Sequence, residues 1–292
     1  MKRQLYHTLE LVAIFFLAAF TFGDSPYENE IRQWHEKRIE GLKAESGWLN
    51  LAGLYWLEEG VNTFGGAEGN DILFPAEKSS PFLGEIVLEK DKITLKAKPD
   101  AQIFNGDQPV TELDISPVGK PVTLKHGPLR WFVIKRGEKY AIRLRDLESE
   151  YLKGFTGIER YPVQEKWRVK AKFVPTKGRT VSITDITGRT DEQVSPGKLV
   201  FDVDGKEYSL DAVGKPENLF LIFADQTNKL ETYGAGRFLY SSVEADGTAW
   251  LDFNKAINPP CAFSPYATCP LPPKRNKLAL AVVAGEKRYG DH

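Results

Sequence analysis

Between Leu219 and Glu286 the chain sets polar and charged residues at the ends of short apolar runs. Asp225 and Thr227 end one run, Arg237 opens the next, and Asp252 and Asn254 close a third. Arginine holds a carboxylate, phosphate or sulfate through a two-pronged fork, while aspartate and asparagine hold hydroxyls. These types at adjacent strand ends predict a pocket for a small polar or anionic molecule. Arg237 is its expected anion contact, and Asp225, Asp252 and Asn254 its hydroxyl or amide contacts. Thr227, Tyr233, Asn258, Asn276 and Glu286 are further ligand-binding candidates. Asp225 and Asp252 could also act as acid and base if their surroundings split their pKa values. The enzymatic form of the reading is thus a carboxylate-based hydrolase of a sugar or related envelope metabolite. Two readings compete with it. Arg237 could pair with Asp225 or Asp252 only to pin the neighbouring Pro-rich segment over a barrel end. Alternatively, the protein could be a non-catalytic structural or protein-interaction module of the cell envelope, with an exposed apolar patch and no open cleft near Arg237.

Several common chemistries lack their residues. Of four histidines, His7 and His292 lie near the ends, leaving His35 and His126 as internal imidazoles. There is no Gly-x-Ser-x-Gly elbow, phosphate loop, His-Glu-x-x-His helix or dinucleotide fingerprint. Cys261 and Cys269 stand among Pro259, Pro260, Pro265, Pro270, Pro272 and Pro273. In an exported protein a disulfide across this loop is expected ahead of free thiols. A metal site would need more Cys or His ligands than the segment offers, so neither metal nor cofactor is expected. The formal net charge of −1 gives no reason to expect nucleic acid as a partner.

The elements that must position these residues read as mainly β. Residues 1–23 resemble a cleavable secretory signal, with an uncleaved anchor as the competing reading: Lys2 and Arg3 precede the apolar run Leu11–Phe22, which is short for a membrane span. Export to a periplasmic or extracellular space is therefore expected, with no membrane span after signal removal. Ser25-Pro26-Tyr27-Glu28 is a capping box that opens a helix over 24–46. From Trp48 the period becomes strand-like, with turn signals such as Gly65-Gly66, Lys90-Asp91, Asn105-Gly106 and Arg136-Gly137. Close-spaced short strands predict an antiparallel β-sandwich over 47–150.

Weakened patterning over 147–162 marks a boundary. Beyond it, 160–292 predicts a second antiparallel module, barrel or sandwich, carrying a Pro/Cys-rich loop over 255–276. There Lys166–Phe173 alternates cations with apolar residues and reads as an edge strand with a solvated face. Asp204-Gly205 is the strongest hairpin signal. Gly234–Tyr240 and Thr248–Phe253 are expected to pair, and Lys277–Ala284 to form a final strand.

Two resemblances follow from these residues. The strand order of the N-terminal half, with Gly65-Gly66, Ser79-Ser80 and Asn105-Gly106, resembles the forkhead-associated type of β-sandwich. The arginine and histidine that would hold a phosphate there are absent, so no phosphopeptide binding is expected. Phe223-x-Asp225-x-Thr227, Gly236-Arg237-Phe238-Leu239, Asp252-Phe253-Asn254, Asn258-Pro259-Pro260-Cys261 and Tyr266-Ala267-Thr268-Cys269-Pro270 are similar to the domain-of-unknown-function family 1684, as are Gly47-Trp48-Leu49 and Gly53-Leu54-x-Trp56-Leu57. That resemblance implies a shared fold and no particular activity.

Overall fold

The computed structural model describes residues 25–119 and 121–290; the expected signal at 1–23 lies outside them. The capping box forms as the sequence requires: Glu28 N donates to Ser25 Oγ at 3.1 Å, and Ser25 N to Glu28 Oε2 at 2.6 Å. It starts helix α1 (Pro26–Lys43), which buries Ile31 and Leu42. Among the described residues no helix is long and apolar enough to cross a membrane.

The first module is a sandwich. Its strands are β1 (Leu51–Trp56), β2 (Gly60–Gly65), β3 (Ile72–Leu73), β4 (Gly84–Glu89), β5 (Lys92–Ala97), β6 (Phe104–Asn105), β7 (Gln108–Pro109), β8 (Glu112–Asp114), β9 (Leu124–His126), β10 (Leu129–Arg136) and β11 (Lys139–Asp146). One sheet runs β1-β11-β10-β9-β6-β7 and the other β3-β2-β4-β5-β8. The ladders are antiparallel apart from a short parallel pair between β2 and β3. Phe64, Phe74 and Trp131 meet edge-on or tilted at 5.2–6.0 Å at the centre of the core, the geometry that aromatic quadrupoles favour.

A short helix, α2 (Glu150–Lys153), capped by Ser149, leads into the second module. Its strands are β12 (Arg168–Pro175), β13 (Thr180–Thr184), β14 (Thr190–Val194), β15 (Gly197–Val203), β16 (Lys206–Lys215), β17 (Asn218–Phe223), β18 (Arg237–Ser241) and β19 (Thr248–Asp252). The main sheet runs β18-β17-β16-β15-β12-β19, and β13-β14 is a separate hairpin. Asp204 and Gly205 both take positive φ, as a two-residue turn between β15 and β16 demands. The two edge strands curl back toward one another: Ser241 Oγ donates to Trp250 O at 2.8 Å, and Val243 bridges Ala249.

Three local expectations are corrected. β18 and β19 close the curl but ladder with β17 and β12 rather than with each other. β12 is not an edge strand, since β15 and β19 flank it; its cations lie along Trp250 instead, with Arg168 at 4.9 Å and Lys170 at 5.9 Å from that ring. Lys277–Ala284 makes no strand beyond an isolated bridge from Lys277 to Ala224. Its apolar side chains do reach the core, but its carbonyls serve other donors: Leu280 O accepts from Gln226 N, and Val282 O and Ala284 O accept from Arg237.

The two modules share a core. On β11, Tyr140, Ile142 and Leu144 point into the sandwich, so Ala141 and Arg143 occupy the opposite face. Both are nonetheless buried, because the second module covers that face. Leu51, Trp34 and Trp48 pack there against Phe238, Ile257, Ala267 and Cys269. Helix α1 spans the junction, with Arg38 reaching Glu286 and Lys255 reaching Glu30.

Candidate functional site

The nine residues singled out from the sequence separate into several networks. Arg237 is fully buried. Gly236 precedes it at φ 94°, where a Cβ would come within 2.5 Å of Phe223 O, so only glycine admits this approach. Arg237 Nη2 donates to Asp225 Oδ2 at 2.9 Å and Val282 O at 2.8 Å, and Nη1 donates to Ala284 O. Asp225 Oδ1 accepts from Thr227 N, Thr227 Oγ1 and Val282 N. Thr227 in turn shares a hydrogen bond with Thr232 at 2.8 Å. This cluster holds the irregular 277–286 segment by side-chain bonds in place of a ladder.

Asp252 sits elsewhere, where the first turn of α1 meets the end of β19. It accepts from Tyr27 OH at 2.7 Å and stands 3.6 Å from Lys255. Burial, then the hydrogen bond to Asp252, pushes the Tyr27 phenol above its ordinary value. Asn254 donates to Tyr27 OH and to Gln164 O. Asn276 brackets Asp211, accepting from its N–H and donating to its carbonyl and to Ile222 O. Tyr233 is half-buried beside Phe263 and Tyr289. Asp225 and Asp252 border different depressions, and the Asp225 side chain is fully buried, so the expected acid–base pair does not share a cleft.

Glu286 and Asn258 lead to another place. Gly285, at φ 77°, lets the chain turn under Ala256 O and Phe253 O, and this sends the Glu286 carboxylate inward. Its Oε2 accepts from Asn258 N at 2.6 Å and its Oε1 from Arg38 Nε at 3.1 Å. Arg38 Nη2 also donates to Asn258 O at 3.1 Å, and Asn258 Nδ2 to Lys287 O. Burial pushes the Glu286 carboxyl above its ordinary range, outweighing the pull of Arg38. Arg38 is thereby fixed at the wall of a cavity between the modules.

That cavity encloses about 250 Å³. Arg143 from β11 and Arg136 from β10 line it from the first module, and Arg38 from the helix. Phe238 and Tyr240 of β18 line it from the second, and Asn258 to Pro270 supply the Pro/Cys wall. Cys261 and Cys269 are disulfide-bonded, with Cα atoms 6.1 Å apart, which closes that wall into a ring. No carboxylate or imidazole is among the lining side chains.

Arg143 is the unusual member of the wall. It is 5% exposed, and its Nε and Nη2 have no hydrogen-bond partner among the described residues. Burial, then the neighbouring Arg136 and Arg145, pull its pKa down to about 10. A buried cation without a counter-ion is costly to keep. Sequence reasoning missed all three arginines, and for the two on strands the reason is plain. On an alternating strand such as Tyr140–Asp146, an outward cation reads as solvated, and the alternation carries no sign that another module will cover that face.

A β-sandwich and a curled β-sheet joined around an arginine-lined cavity, with a disulfide ring as one wall, define a two-module β protein. Residues 153–287 match the model of the family described as protein of unknown function (DUF1684). The uncharacterised protein from gene locus rrnAC0354 of Haloarcula marismortui, known from a solution NMR structure, is 31% identical, over 48% of this chain and 80% of that one, with a TM-score of 0.40. A structure concerned with phosphothreonine-dependent FHA domain interactions aligns at 17% identity over 32% of this chain and 92% of its own, with a TM-score of 0.23. No curated protein matches the chain.

Proposed function

We propose that the protein is an exported binding protein for a small anionic molecule, held in the cavity between its two modules. The contacts are Arg143, Arg136 and Arg38, rather than the Arg237 cluster. The observation that carries the reading is Arg143: buried, facing the cavity, with donors unused and no carboxylate beside it. An anion there would gain charge-assisted hydrogen bonds in a region of low dielectric. Glu286 and Asn258 O position Arg38 for the same task. Binding is favoured over hydrolysis because the lining offers no carboxylate or imidazole as a general base, and burial pushes the Tyr240 phenol above its ordinary value. Export agrees with the disulfide, a bond typical of oxidising compartments.

Titration calorimetry with inorganic phosphate tests this directly. A charged hydrogen-bonding group is worth about 1.5–3 kcal/mol, so Arg143→Gln should weaken phosphate binding by about tenfold or more. Equal affinity in the variant and the wild type, or no binding by either, would refute the reading and leave the junction as a structural interface.

A further inference from the structure

Arg136 and Thr268 stand at one side of the 250 Å³ cavity. Both residues also line an adjoining depression of about 350 Å³, bounded by Trp56 of β1, Lys139 of β11, and Asp185, Thr187 and Arg189 at the tip of the β13-β14 hairpin. The two spaces are neighbours with unlike linings, and together they would make one groove. The inner half is cationic and lacks an acid. The outer half mixes an aromatic face with hydroxyl, carboxylate and cationic groups. Trp56 is 43% exposed there. Asp185 Oδ1 is engaged by Thr187 and by Arg189 N, whereas its Oδ2 takes part in none of those bonds.

We infer that the groove takes a phosphorylated monosaccharide, with its phosphate on Arg143 and Arg38 and its sugar ring over Trp56. This rests on the anion reading above and adds the identity of what the anion is attached to. A phosphate monoester has three acceptor oxygens and nearly two negative charges, enough to engage several guanidiniums; a carboxylate, with two oxygens and one charge, matches a single fork. An indole presents a flat, weakly negative face to the C–H side of a sugar ring, and Asp185, Thr187 and Arg189 offer acceptors and donors for its hydroxyls. Arg136, shared by both halves, would stand where the ester oxygen joins them.

The test is calorimetry on the full mature chain with inorganic phosphate, glucose, and a set of sugar phosphates: glucose 6-phosphate, N-acetylglucosamine 6-phosphate and ribose 5-phosphate. At least one sugar phosphate should bind tenfold or more tighter than inorganic phosphate. Trp56→Ala, a change at a partly exposed position, should remove that excess and leave phosphate affinity as it was. If phosphate binds and no sugar phosphate exceeds it, or if Trp56→Ala changes nothing, the sugar assignment is overturned while the anion site stands. If neither phosphate nor any sugar phosphate binds, the anion site itself falls and the sugar assignment with it.

Discussion

Among the described residues two arginines are buried, and they are buried differently. Arg237 lies within the second module, where an aspartate and backbone carbonyls of 282–286 take its terminal donors. Arg143 lies between the modules, where Nε and Nη2 go unused and the nearest cations, Arg136 and Arg145, repel it. Both side chains are long and buried. The difference is the accounting of donors and charge. A guanidinium surrounded by acceptors organises a segment that has no ladder of its own. One without acceptors weakens the ligand-free fold, and that cost makes sense if another molecule completes the site.

Removing Arg237 should have the largest effect. Arg237→Met leaves the Asp225 carboxylate buried and unpaired, and breaking a buried pair from one side costs about 3–5 kcal/mol. Urea unfolding should register that loss, with phosphate binding retained in whatever fraction folds. A loss of phosphate binding at unchanged stability would reverse the roles assigned to the two arginines.

The disulfide comes next. Opening so short a loop with Cys261→Ala and Cys269→Ala together should cost about 2–3 kcal/mol in the chain-entropy model. Because Cys269 lines the cavity, the same double variant should bind phosphate more weakly. Full affinity in the destabilised protein would show that the ring serves stability alone.

Glu286→Gln gives the smallest change and is read through pH. Burial holds the folded carboxyl above its ordinary range, so the folded state keeps its proton to higher pH than the unfolded chain does. This contribution to stability is complete below the ordinary carboxyl pKa and is lost as pH rises through the folded value. The neutral variant should therefore gain on the wild type as pH is raised from about 4, the ordinary carboxyl value. Denaturation midpoints of the two proteins across that range check it, and a constant difference would contradict the burial argument.

Much of this architecture could be read from the chain. Ser25 and Glu28 announced α1, Asp204-Gly205 its hairpin, and the short strands of 47–150 a sandwich, because each signal is local and rests on backbone geometry. Lys277–Ala284 misled for a physical reason: its apolar side chains satisfy the core as a strand's would, but the donors that bind its carbonyls are side chains distant in sequence. The candidate residues divided in the same way. Arg237, Asp225 and Thr227 do meet, as strand-end spacing suggested, and Cys261 and Cys269 do pair. Asp252 and Asn254 were drawn to Tyr27 on α1, more than two hundred residues away. Arg136 and Arg143 were illegible because burial of an outward strand position depends on how two modules dock, which no period within one strand records.

The most direct test of the contrast is thermal unfolding of the wild type and Arg143→Leu, each with and without phosphate. With its cation buried and unpaired, Arg143 should burden the ligand-free fold, so the leucine variant should match or exceed the wild type, by up to about 2 kcal/mol. Phosphate at one hundred times the wild-type dissociation constant should stabilise the wild type by about 2.7 kcal/mol, and a variant that binds tenfold more weakly by only about 1.4 kcal/mol. A variant that melts well below the wild type without phosphate, or that phosphate protects equally, would contradict the claim that Arg143 is held for a ligand.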